Sequence, residues 1–253
     1  MPGMVMILQS HRLPLPLPWL EPCVASVRDW AQRRGFDYRF VGDELLEALP
    51  AEIAAKTRTQ PVVATDIARL LLLRSALRSG HDCVVWLDAD TLVLDPDGLR
   101  LAGADYALGR EVWVQAHRGA LRAYVKVHNA YLQFGTGNPF LEFYLHAALR
   151  IVERHEGPLA PQLVGPKLLT ALHNLVGCPV LEQAAMLPPL VAADVLSGGG
   201  AALDLFRRRS TAAPAAVNLC ASLAQGAERR ERRMLALIER LLDAPRVLAP
   251  AAG

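Results

Sequence analysis

Charge of one sign is scarce in this 253-residue chain: 27 basic residues against 25 acidic ones leave a net charge of +2. That balance gives no electrostatic footprint for nucleic acid, which is therefore not an expected partner. Cysteine is equally scarce. Cys23, Cys83, Cys178 and Cys220 are widely spaced, with no CxxC pair. They read as reduced thiols filling the space of small buried hydrophobes, and none reads as catalytic. No uncharged apolar run is long enough for a membrane span. No basic region precedes the first apolar residues, and Arg12 with the Leu-Pro alternation from Leu13 to Pro18 would break a signal helix. The expected location is cytoplasmic. The chain has no internal repeat, and His81, His117, His146, His155 and His173 show no metal-ligand spacing with one another.

What is present is a chain with 52% hydrophobic residues and a mean hydropathy of +0.21, long enough for one large α/β domain with a substantial core. Val5–Ser10 reads as a first strand, and Glu21 to Arg34 as a helix closed by Gly35. Asp37–Val41 alternates as a second strand. Asp66 to Ser79 reads as a Leu-rich helix stopped by Gly80, with Thr65 or Asp66 as its cap. This β-α-β-α-β order predicts an open, mixed sheet, mainly parallel in its N-terminal half. Further on, Tyr106–Gly109 and Val125–Asn129 read as short strands, and Pro139–Glu153 and Pro166–Leu175 as helices. Ser197–Gly200 reads as a flexible hinge or a crossing under a ligand. From Glu228 to Asp243 runs an amphipathic helix, with Met234, Leu237, Ile238, Leu241 and Leu242 on one side. Arg207–Arg209 and the arginines from Arg229 to Arg233 read as solvated faces, because Glu228 and Glu231 are interleaved with the latter.

The most informative segment is Val84–Leu94. Its apolar residues read as a buried strand that ends in Asp88 and Asp90. Residues two apart on a strand point the same way, so the two carboxylates can converge on one cation or one polyol. Left unpaired at a buried strand end, they would cost too much desolvation energy. A divalent metal carrying a phosphorylated ligand satisfies them best.

Three chemistries use such letters. A calcium loop is excluded, since Leu92 stands where a ligand is needed. A phosphatase of the haloacid dehalogenase kind also carries Asp-x-Asp-x-Thr after an apolar strand. It needs a later acidic pair, and no two acids after Glu111 are adjacent. Its nucleophile strand also opens the fold, whereas about ninety residues of α/β pattern precede Asp88 here. The third is a metal-dependent nucleotide-sugar transferase.

Asp66 and Arg69, one turn apart on the helix before the Asp88 strand, favour the third. Asp66-x-x-Arg69, an apolar strand and Asp88-x-Asp90-Thr91 together resemble the DXD-containing sugar-binding region of GT-A glycosyltransferases. Families 32 and 8, which include capsular-polysaccharide and mannosyl- or galactosyltransferase-like enzymes, come nearest. Gln9-Ser10, His128-Asn129-Ala130 with Gly137–Phe140, and Val164–Thr170 follow the family's order. The resemblance covers residues 5 to 225. It implies a GT-A-like domain whose residues 1–110 bind nucleotide-sugar and whose residues 111–227 serve sugar and acceptor, with 228–253 as C-terminal helix and tail.

The same resemblance implies a retaining transfer from a UDP- or GDP-sugar to a glycan or lipid-linked acceptor, with Mn²⁺ or Mg²⁺ as cofactor. Candidate catalytic residues are then Asp88, Asp90 and Asn129. Asp88 would meet the donor's ribose and sugar hydroxyls, and Asp90 would be the direct metal ligand. Asp66 would hold ribose or sugar, Arg69 sugar or phosphate, and Asn129 the sugar. Gln9 and Ser10 stand where the base lies, and Gly165-Pro166 approaches sugar and acceptor. No catalytic base is legible, and in such enzymes the leaving diphosphate can take the acceptor proton. Near the C-terminus the family carries a His and then a Ser-Trp pair. Here Asn218 stands for the His, where its oxygen could serve the metal. Ser222 remains for the diphosphate, and Leu223 replaces the Trp. A non-catalytic sugar-nucleotide binder on the same fold is the alternative that these two replacements raise. The C-terminal helix is a candidate for weak peripheral membrane contact.

Overall fold

A computed structural model of the chain describes residues 3–220 and 228–250. Its strands are β1 (Val5–Ser10), β2 (Asp37–Val41), β3 (Cys83–Leu87), β4 (Thr91–Val93), β5 (Tyr106–His117), β6 (Ala120–Gly135), β7 (Val180–Met186) and β8 (Ala216–Asn218). The helices are α1 (Leu20–Arg34), α2 (Ala51–Thr57), α3 (Pro61–Arg78), α4 (Pro139–Arg154), α5 (Pro166–Val176), α6 (Pro189–Ser197), α7 (Ala201–Arg209) and α8 (Glu228–Asp243). One sheet runs in the order β2-β1-β3-β6-β5-β7-β8-β4. β2, β1 and β3 are mutually parallel, β6 enters antiparallel to β3, and β7 and β8 run parallel to β5. The α/β class and the parallel N-terminal half are as the sequence predicts.

Strand β3 is buried on both faces, which is why it reads as an unbroken apolar run. Val84 and Trp86 face α3, α4 and α5, with Ile67, Leu70, Tyr144 and Leu145 around them. Val85 and Leu87 face α1, packing with Val27, Trp30 and Ala31. Each such side chain, fully buried, contributes about 1.5–3 kcal/mol of transfer free energy. β1 splits in the same way, with Leu8 on one side and Ile7 on the other. β2 and β3 flank β1 on opposite sides, so the order in which strands are added to the sheet reverses at β1. Open sheets of this kind leave a crevice beyond the carboxyl ends of the strands at that point.

Several elements differ from expectation. α3 begins at Pro61, not at Asp66, because Pro61 occupies the first helical position, where its missing N–H costs nothing. Thr65 and Asp66 are therefore interior residues and cap nothing. The two short strands expected at Tyr106 and Val125 are parts of a long hairpin. Charged residues within it have partners across strands: Lys126 Nζ lies 3.1 Å from Glu111, and Arg110 lies 2.6 Å from Glu182 on β7. Ser197–Gly200 is a tight turn between two helices. Asp194 Oδ2 accepts from the N–H groups of Ala202 and Leu203 at 2.8 and 3.0 Å, and Gly198 takes the left-handed conformation, φ 87°. That turn is closed by its own hydrogen bonds, and its residues line neither of the two cavities described below.

Helix α8 forms over the expected residues. Leu237, Ile238 and Leu241 are buried against Val191 and Val195 of α6, whereas Leu242 is 47% exposed and lies off that face. Three residues of the apolar stripe of α8 thus belong to the core. No single described helix is long and apolar enough to cross a membrane. All four cysteines are free, and three of them are buried.

Candidate active site

At the carboxyl ends of β1, β2 and β3 opens a cleft of about 460 Å³. Its floor carries Arg69, Trp86, Asp88, Ala89 and Asp90, and its rim carries Ser10, His11, Arg12, Asp43, Leu46 and Val62. A smaller cavity of about 380 Å³ lies between α7 and the C-terminal turn, lined by Arg207, Arg208, Arg246 and Asp204. It contains none of the candidate site residues read from the sequence.

Arg69 organises the cleft floor. Its Nη1 lies 3.0 Å from Asp88 Oδ1 and donates to the Asn129 carbonyl at 2.8 Å, while Nη2 lies 3.3 Å from Asp66 Oδ1. The guanidinium sits 4.9 Å from the centre of the Trp86 ring, a cation–π distance. Burial alone would lower the Arg69 pKa, but Asp88 and Asp66 outweigh it and raise it. Asp66, 2% exposed, has its carboxyl pushed up to about 6 by burial, against the opposing pull of Arg69. Asn129 Nδ2 donates to Asp66 Oδ1 at 2.8 Å.

A bulge delivers Asn129 to this place. Pairing of β5 with β6 jumps from Leu108↔Leu132 to Gly109↔His128, which leaves residues 129–131 of β6 without partners on β5. His128 anchors the bulge, its ring between the Ala184 carbonyl and the Ala130 N–H, each at 3.1 Å. Burial lowers its pKa to about 4, so the ring is neutral, with the proton on Nε2 facing the carbonyl. Gly109 makes room for it: a Cβ there would meet the imidazole at 2.2 Å. The same logic applies at Gly165, where a Cβ would lie 2.4 Å from Asp66 Oδ2 and 2.7 Å from Asn129 Nδ2. Pro166 follows as the first residue of α5.

Asp88 is held by two donors on one oxygen. Besides Arg69, Trp86 Nε1 donates to Asp88 Oδ1 at 2.6 Å. Gln9 is fully buried beneath it, donating to the Asp88 carbonyl at 3.2 Å and accepting from Tyr38 Oη at 3.0 Å. Gln9 therefore braces the strand end, while Ser10 reaches the cleft. Asp90 lies beside β8, where Leu219 N–H donates to its carbonyl at 2.9 Å. Asn218, the last residue of β8, donates from Nδ2 to Asp90 Oδ1 at 2.5 Å and accepts from Cys220 N–H at 2.9 Å. Its amide nitrogen thus faces Asp90, and its oxygen faces the Cys220 N–H. Ser222, with Leu223, lies outside the described residues.

The structure thus brings Asp66, Arg69, Asp88, Asn129 and Gly165 into one buried network. Asp90 and Asn218 form a second pair on the same cleft. Trp86 was the residue that sequence reasoning missed. Its signal was its place two residues before Asp88, which puts both on one side of the strand. Among the described residues, no three His, Cys, Asp or Glu side chains form a metal cluster. Two carboxylates opening on one cleft still suit a hard divalent cation whose other ligands come from a diphosphate and water. Among the described residues, four buried side-chain atoms at or beside the cleft have no hydrogen-bond partner: His11 Nδ1, Asp66 Oδ2, Arg69 Nε and Thr91 Oγ1. Such atoms commonly mark places where a ligand or water completes the set.

No family model matches the chain, and no curated protein matches it in sequence. Solved structures with a similar course include a glycosyltransferase involved in the glycosylation of the major capsid of PBCV-1. It shows 13% identity over 92% of this chain and 99% of its own, with a TM-score of 0.49. Another is the galactosyltransferase LgtC in complex with donor and acceptor sugar analogs, at 15% identity, 93% and 95% coverage and a TM-score of 0.46. A third is the apo-form glycosyltransferase GlyE of Streptococcus pneumoniae, at 12% identity over 98% of this chain and 65% of its own, with a TM-score of 0.42. Likenesses at these scores assign no role to any residue of this chain.

Proposed function

We propose that the chain is a glycosyltransferase that moves a sugar from a nucleoside-diphosphate donor, UDP- or GDP-linked, to an acceptor hydroxyl of a glycan or lipid-linked glycan. The observation that carries this reading is the Arg69 fork. One guanidinium holds Asp66 and Asp88 at 3.3 and 3.0 Å beside Asp90, at the strand-end cleft where ligands of such sheets bind. Fixed carboxylates and an amide suit the hydroxyls of a sugar, and a fixed cation suits its phosphate. Asp88 and Asp90 would hold Mn²⁺ or Mg²⁺, which would neutralise the charge that gathers on the departing diphosphate.

The chain's own residues have separable tasks in this reading. Asp66 and Asn129 orient the donor sugar, and Gly165 keeps α5 close enough to enclose it. Trp86 and Gln9 fix Asp88, so that little rotamer freedom is lost on binding. Ser10 and the rim from His11 to Asp43 flank the base. Retention of the anomeric configuration belongs to the proposal through the family resemblance.

Calorimetry with UDP, GDP and their sugars, with and without Mn²⁺, tests this reading. Saturable binding of one nucleotide class that depends on Asp88 is expected. Tight binding without turnover of any sugar donor would instead favour a binding protein, a reading that Asn218 motivates. Hydrolysis of a phosphomonoester in place of nucleotide binding would revive the phosphatase.

A further inference from the structure

We infer that the cavity between α7 and the C-terminal turn is a binding site for a phosphate-bearing ligand, separate from the strand-end cleft. Asp204, Arg207 and Arg208 reach it from α7, and Arg246, Ala249 and Pro250 from the turn after α8. None of these residues lines the cleft that holds Asp88 and Asp90. The inference is thus independent of the nucleotide-sugar reading.

The walls of the cavity are fixed to each other. Arg207 Nε donates to the Val247 carbonyl at 2.8 Å, which fastens α7 to the turn. Leu203 and Phe206 of α7 are buried in one core with Leu248 of the turn, so apolar packing holds the two elements together as well. Arg207 Nη1 also lies 3.6 Å from Asp204 Oδ1, one helical turn back. The other two arginines are left over. Among the described residues, Arg208 and Arg246 have neither an ion pair nor a side-chain hydrogen bond.

The charge of the lining is unbalanced. Three guanidiniums against one carboxylate leave a formal charge of +2. A helix C-terminus favours basic residues, which accounts for Arg207 and Arg208 in the last turn of α7. It does not account for Arg246, which a different element brings to the same cavity. Gathering like charges around one space costs energy that a bound anion recovers. A phosphate group carries about −1.5 to −2 near pH 7 and offers three acceptor oxygens. It therefore matches both the excess charge and the forked donors of arginine. At about 380 Å³ the cavity stands at the small end of ligand sites, enough for a phosphate or diphosphate group. A soluble phosphate compound and a lipid headgroup both present that chemistry.

The test is calorimetry of the full chain with inorganic pyrophosphate in EDTA, which keeps cations from the cleft carboxylates. Beside it runs flotation with phosphatidylcholine vesicles, with and without phosphatidic acid. Saturable binding in at least one arm is expected, and the arm that responds names the source of the phosphate. The double variant Arg208→Gln/Arg246→Gln should weaken it by about tenfold to a hundredfold, the loss of charge-assisted hydrogen bonds. Neither arginine has a partner in the described fold, so this variant should melt as wild type does. Arg33→Gln/Arg58→Gln removes the same charge from exposed residues outside the cavity and should bind as wild type. Failure to bind in both arms would overturn the inference. So would binding that both double variants weaken equally, or that neither weakens.

Discussion

Arg69 and Asp88 meet at 3.0 Å, and the Trp86 beneath the guanidinium donates its indole N–H to the same carboxylate oxygen at 2.6 Å. One aromatic ring thus supports the cation from below and pins the anion from the side. The arrangement fixes Asp88 before any ligand arrives. Preorganised groups of this kind bind a donor with little reorganisation.

Arg69→Ala removes the shared partner of two carboxylates, one of them almost fully buried. The expected loss is about 3–5 kcal/mol of folding stability, the usual result of stripping one member from a buried ion pair. Arg69→Lys should recover part of it, since a single ammonium cannot reach Asp66, Asp88 and the Asn129 carbonyl together. Urea denaturation of both variants measures this.

Trp86→Phe keeps the ring face under Arg69 and deletes the hydrogen bond to Asp88. Such a bond to a charged acceptor contributes about 1.5–3 kcal/mol, so donor affinity should fall by roughly tenfold to a hundredfold. Stability should change less than in Arg69→Ala. Nucleotide calorimetry beside a thermal melt separates the two effects.

Gly165→Ala puts a methyl group 2.4 Å from Asp66 Oδ2, where no real contact lies. The expected outcome is displacement of Asp66 and Asn129, a stability loss of about 1–3 kcal/mol and weakened donor binding. Gly103→Ala, where a Cβ meets nothing within 4 Å, is the control that should behave as wild type.

Asp66 sets a pH dependence with a defined sign. Its pKa is raised from 3.8 to about 6, chiefly by burial. A raised carboxyl contributes stability that is fully present below pH 3.8 and lost as pH rises through 6. His128, lowered to about 4, contributes in the opposite sense, its share lost as pH falls. Comparing wild type with Asp66→Asn cancels the histidine. The variant should gain about 1–3 kcal/mol on wild type between pH 4 and 7. A constant difference across that range would show that Asp66 does not titrate there.

Much of this was legible in the sequence where one physical signal dominated. β1, β2 and β3 announced themselves because both faces of the first and third are buried and the second alternates. The start of α3 is harder to read, since Thr65 and Asp66 are cap-type residues whereas Pro61 opens the helix a turn earlier. The long hairpin was obscured by Arg110, Glu111 and Lys126, whose charges are neutralised across strands by partners that sequence spacing cannot reveal. Asp66, Arg69 and Asp88 were found through their order, but Asn218 lies 128 positions from Asp90. Its residue type was readable, whereas the direction of its amide was set by Cys220 turning back on it. Nothing in the letters encodes that turn.

The central claim is tested most directly by incubating the protein with UDP- and GDP-sugars and Mn²⁺ and measuring release of the nucleoside diphosphate. At least one donor should be turned over, slowly to water and faster with an acceptor glycan. Asp90→Ala should abolish that release while remaining folded. Nucleoside diphosphate released equally by Asp90→Ala, or no release from any donor by wild type, would contradict the account.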